Sequence, residues 1–139
     1  MTIYTGYFAQ MKKYQELGLT PVSIARYSPH WFTGYCLKDL APSDSLLKDY
    51  KDRQVSVEDY RRQYLQQLET VRWADVLRRL EKHAPDGAVL CCYEKPDDFC
   101  HRHILSEYMR ESGYEVMELL VTKGKPPKAI GGSVLGVSS

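Results

Sequence analysis

The sequence predicts an α/β protein, a three-layer Rossmann-like sandwich built on a mainly parallel sheet. Two observations predict it. Short runs rich in β-branched and aromatic residues alternate with segments of helical periodicity. One of those runs, AVLCCY at 88–93, is apolar at every position. Such a run suits a strand buried on both faces, as in a parallel sheet covered by helices.

Taken in order, residues 3–8 form a first strand with Gly6 near its exit. Residues 10–17 form a short helix closed by Gly18, and 22–25 a second strand. Residues 26–31 leave that strand as a loop broken by Pro29. Ser43 is placed to cap a helix running through Leu46, Leu47 and Tyr50. Ser56, followed by Glu58 and Asp59, opens a further helix. Its apolar face is Val57, Tyr60, Tyr64, Leu68 and Val71. The phase then slips to Trp73, Val76, Leu77 and Leu80, which predicts two helices separated by a break at 70–72. Pro85, Asp86 and Gly87 make a turn into the central strand at 88–93. A helix from 100 to 111 ends at Gly113, and 116–121 is the last strand. The expected organisation is one α/β domain over 1–122 and a mobile tail over 123–139, where little is available to bury.

Composition narrows the class of function. With 139 residues the chain can bury a core without metal or disulfides. A net charge of +1 gives no general pull towards nucleic acid. No apolar run approaches the ~20 residues of a membrane helix, and MTIYTGYF lacks the pattern of a secretory signal. The irregular spacing of Cys36, Cys91, Cys92 and Cys100 is not that of a secreted disulfide framework. The expected location is the cytoplasm.

In open parallel sheets ligands collect beyond the carboxyl ends of the strands. Three loops, at 6–9, 26–31 and 94–102, would meet there, bringing Tyr7, Arg26, Tyr27, Ser28, His30, Glu94, Cys100, His101 and Arg102 together. Cys100 in the first turn of its helix would have its thiolate favoured by free amides and the helix dipole, with His101 as base. Alternatively, Cys100 and His101 are tucked beneath the helix, one turn before Ile104 and Leu105. Arg102 binds an anion or pairs with Asp97, Asp98 or Glu94. Glu94, directly after a buried strand, serves as an acid or base or anchors an arginine. Cys91, Cys92, Cys100, His101 and His103 are all potential metal ligands, yet a metal is not expected. Cys91 and Cys92 are adjacent on a strand and point to opposite faces, and there is no Cys-x2-Cys pair or His-Glu-x-x-His helix. Removing divalent ions should then leave the thermal midpoint unchanged.

The segment VLCCYEKPDDFCHRHILSEYM resembles the signature of the YeaO-like proteins, domain of unknown function 488. That signature is a strand ending Leu-Leu-Cys-x-Glu, a short acidic loop, and Cys-His-Arg opening a helix. Glu94, Cys100, His101 and Arg102 fall on its positions. VEDYRRQYLQQL and IYTGYF are similar to a helix and an opening strand of the family, and the loop with Arg26 and Pro29 is similar to another. Ile24 stands where the family commonly has Asp. The resemblance implies an α/β sandwich with a shared pocket and names no activity or cofactor.

The leading expectation is an enzyme acting on a nucleotide-like or phosphorylated small molecule. Cys100, His101 and Glu94 would be its catalytic groups, with Arg26, Arg102, Tyr7 and His30 as ligand contacts. The alternatives are a binding or regulatory module using the same pocket, and a purely structural Cys-His-Arg that fastens helix to sheet.

Overall fold

The structure is a computed structural model that describes residues 2–96 and 98–131. Its sheet has five strands in the order β2-β3-β1-β4-β5. β1 (Ile3–Tyr7), β2 (Thr20–Ser23), β3 (Ala88–Cys92) and β4 (Val116–Leu120) are mutually parallel. β5 (Lys128–Ile130) adds an antiparallel edge against β4. The helices are α1 (Met11–Glu16), α2 (Asp44–Lys51), α3 (Val57–Glu69), α4 (Trp73–His83) and α5 (His101–Glu111).

β3 lies inside the sheet between β1 and β2, and all five of its residues are buried. Alternation along the strand divides them between two apolar clusters. Ala88, Leu90 and Cys92 join Tyr60, Tyr64, Leu68, Val76, Leu80, Ile104 and Leu105 from α3, α4 and α5. Val89 and Cys91 face the opposite way, towards Tyr14 of α1 and Phe8. Fully burying a Val or Leu side chain contributes about 1.5–3 kcal/mol, and β3 places one such residue in each cluster, Leu90 in the first and Val89 in the second. Four helices supply the first cluster and one supplies the second.

Local chemistry sets several boundaries. The Ser43 and Ser56 side chains accept from the backbone amides of Leu46 and Asp59, capping α2 and α3 as expected. α3 stops at Glu69 and α4 starts at Trp73, so the phase slip does mark two helices. The Trp73 indole donates to the carbonyl of Leu68 and fixes the corner at 3.1 Å. Gly113 follows α5 at φ +97, a left-handed position suited to glycine. Gly6 has another reason to be glycine. The hydroxyl end of the Tyr14 ring lies against it, so any Cβ there would overlap the tyrosine. The Tyr14 hydroxyl accepts from the Tyr7 amide.

Some boundaries differ from expectation. β2 begins two residues earlier, at Thr20, and ends at Ser23. β3 ends at Cys92, because Tyr93 has turned out of the sheet and is 50% exposed. The tail is not wholly without structure: Lys128–Ile130 pair with β4 through backbone hydrogen bonds. An exposed edge strand needs no apolar alternation for that, so composition did not reveal it. Residues 132–139 lie outside the described residues.

Candidate functional site

A pocket of about 370 Å³ opens beyond the carboxyl ends of β2 and β3. Buried Ala25, Cys92 and His101 form its floor, while Tyr27, Lys51, Tyr93 and Glu94 stand at the exposed rim and Arg26 at one wall. The fold brings these groups together for a simple reason. Chain leaving β2 and chain leaving β3 diverge at adjacent strand ends, and the start of α5 fills the cleft beneath them.

Cys100 is the N-cap of α5, in extended conformation, and not a residue of its first turn. Its side chain makes no capping hydrogen bond and is 2% exposed. This is the tucked-under arrangement, and Cys100 reaches the pocket only through its neighbours on the floor. Cys100 forms a disulfide with Cys92, one of the floor residues, across a Cα–Cα separation of 7.6 Å. Cys91 remains a free, buried thiol on the other face, and burial pushes it up to about 12. Cys36 is free and exposed.

His101 is anchored from two sides. Its Nε2 donates to the carbonyl of Ile24 at 2.8 Å, and the Tyr64 ring meets its imidazole edge-on at 5.5 Å. With the proton on Nε2, the Nδ1 lone pair faces the Cys100 sulfur at 3.9 Å. Burial lowers the His101 pKa to about 4, with the Arg102 charge adding to the effect, so the ring is neutral near pH 7. As a base in this state it accepts through Nδ1.

Arg102 does not reach the pocket. Its guanidinium is fully buried and donates from Nε and Nη2 to the two carboxylate oxygens of Glu118, at 3.1 and 2.9 Å. The remaining Nη1 donates to the Cys92 sulfur at 2.9 Å and to the Glu94 carbonyl at 2.6 Å. The expected acidic partner is therefore corrected: Glu118 holds Arg102, and Glu94 contributes a backbone oxygen only. Asp97 lies outside the described residues. Glu94 itself is exposed, so the cost anticipated for a buried carboxylate does not arise.

Arg26 does line the pocket. Its Nε donates to Pro42 O at 2.9 Å and its Nη2 to Ala41 O at 3.3 Å, which straps the 38–42 segment beside the cleft. Tyr7 and His30 are elsewhere. The Tyr7 ring lies under the Arg102 guanidinium, 5.9 Å from its centroid, and His30 is exposed on the loop after β2. Tyr27, expected from the loop after β2, does stand at the rim, whereas sequence reasoning missed Lys51 and Tyr93 there and Cys92 on the floor. Cys92 was legible in principle, since strand alternation places it on the α5 face, opposite Cys91.

The chain matches a family model over residues 13–113, and it belongs to the DUF488 family. The matching model is DUF488-N3a, described as the active DUF488-N3 subclade. No curated protein and no solved structure gives a significant match. Among the described residues no helix is long and apolar enough to cross a membrane.

Proposed function

We propose that the protein is an enzyme acting on a nucleotide-like or otherwise phosphorylated small molecule bound at the strand ends. The observation that carries this reading is the pocket itself. It joins cationic Arg26 and Lys51 to a floor that holds His101 and Cys92, with Cys100 bonded to Cys92 behind it. The two cations favour an anionic ligand, and the Tyr27 and Tyr93 rings offer flat apolar surface for a base or sugar. Cys100 and His101 form the reacting centre, and Glu94 at the rim is an exposed carboxylate able to move a proton. The arrangement of helices about the sheet is read as a three-layer, Rossmann-like sandwich, in which strand-end binding is the usual mode. Membership of a subclade described as active supports chemistry over passive binding. Arg102, Tyr7 and His30 act at most through the fold.

The test is to incubate reduced protein with a panel of nucleotides and sugar phosphates, following binding by calorimetry and conversion by chromatography. The enzyme reading expects conversion that falls at least tenfold in Cys100→Ser and His101→Gln variants shown to be folded. Binding without conversion would replace it with the regulatory module. Neither binding nor conversion would leave Cys-His-Arg as a fastening of helix to sheet.

A further inference from the structure

We infer that Cys92, Cys100 and His101, with both cysteines reduced, form a three-ligand site for a thiophilic divalent cation, zinc being the best fit. Their ligand atoms all lie within 4.8 Å of one another, and all three residues are buried. The Cα–Cα separation of 7.6 Å is wider than the 4.4–6.8 Å that a disulfide usually spans. Two thiolates bound to one tetrahedral zinc at ~2.3 Å stand roughly 3.8 Å apart, which suits a wider backbone spacing.

The surroundings are those of a metal ligand set. His101 donates its Nε2 proton to the Ile24 carbonyl, which leaves Nδ1 as the donor to a cation. Arg102 Nη1 donates to the Cys92 sulfur, so a thiolate there has a cation in its outer shell. Three protein ligands leave a fourth position, and the exposed side of the cluster is the pocket that Cys92 and His101 line. Three ligands with an open position is the pattern of a reactive zinc site, not of a closed structural one.

The chemistry balances simply. A thiol reductant supplies two electrons to the Cys92–Cys100 disulfide, and each sulfur takes up one proton. The cation then displaces both thiol protons to solvent. The metal-free expectation counted Cys91, Cys92, Cys100, His101 and His103 as potential ligands and set them aside because Cys91 and Cys92 point apart; the pair that converges is Cys92 with Cys100.

This inference rests on the same pocket as the proposed function but not on its substrate. The experiment uses the full chain, reduced with a phosphine, stripped of metal and titrated with Co²⁺ and then Zn²⁺. One equivalent of cobalt is expected to give thiolate charge-transfer absorption and tetrahedral visible bands, bleached by one equivalent of zinc. Cys92→Ser, Cys100→Ser and His101→Gln should each weaken binding at least tenfold, and Cys36→Ser should change nothing. Circular dichroism identifies any variant that fails to fold; the spectrum of the unsubstituted protein then decides alone. Absence of those bands, or bands that persist in folded Cys92→Ser and Cys100→Ser variants, would overturn the metal site. Phosphate-compound binding by the stripped protein is scored separately, so the two readings fail independently.

Discussion

Arg102 and Glu118 form a buried two-pronged ion pair that crosses from the first turn of α5 to the middle of β4. The Thr5 hydroxyl donates to the same carboxylate at 2.5 Å, so the pair also ties in β1. It turns Arg102 from a ligand contact into the member that sets α5, and hence His101 and Cys100, against the sheet.

Removing one partner leaves a buried charge without compensation. Arg102→Met or Glu118→Leu should each destabilise the fold by about 3–5 kcal/mol, measured by urea denaturation. The double variant should recover much of that loss, because no unpaired charge remains. Additive losses would show that the two residues act separately.

Arg26 and Lys51 should share the binding of an anionic ligand unequally. Arg26→Ala loses a charged hydrogen bond, worth roughly 1.5–3 kcal/mol, so affinity should fall about ten- to hundredfold. Lys51 is exposed, and Lys51→Gln should lower affinity up to about fivefold with no change in melting temperature. Calorimetric titration of a bound nucleotide or sugar phosphate reads both.

Gly6→Ala should cost about 1–3 kcal/mol through overlap with the Tyr14 ring. Tyr14→Phe should not rescue it, since ring carbons as well as the hydroxyl occupy the space. Thermal melts of the single and double variants decide.

The Arg79 guanidinium beside Asp39 holds that carboxyl below its ordinary value of 3.8. The pair therefore contributes stability that is complete above the unfolded value and lost as pH falls through the lower folded one. Asp39→Asn should remove this part of the acid-unfolding limb and leave stability less dependent on pH below about 4. An unchanged acid limb would place the proton uptake elsewhere.

Local signals were legible wherever one residue type decides the outcome: the Ser43 and Ser56 caps, Gly113 after α5, and the phase slip between Leu68 and Trp73. Two of the three loops expected to meet at the strand ends do line one pocket, because β2 and β3 are neighbours; that strand order was not read from sequence. What stayed hidden depends on contacts remote in sequence. Glu118 sits in the otherwise apolar run VMELL, and a carboxylate there was the signal that some buried cation had to meet it. Its partner, sixteen residues away, could not be chosen from sequence over the nearer acids at 94, 97 and 98. The pairing of Cys92 with Cys100 was obscured by Cys91, whose side chain alternation sends to the opposite face.

The most direct test of the account is a crystal structure of the reduced protein with the tightest-binding phosphorylated compound. The account predicts the anionic group within hydrogen-bonding distance of Arg26, and the rest of the ligand over Cys92 and His101 between Tyr27 and Tyr93. A ligand seated instead in the cleft formed by His103, Arg110 and Ile130, with the strand-end pocket vacant, would contradict it.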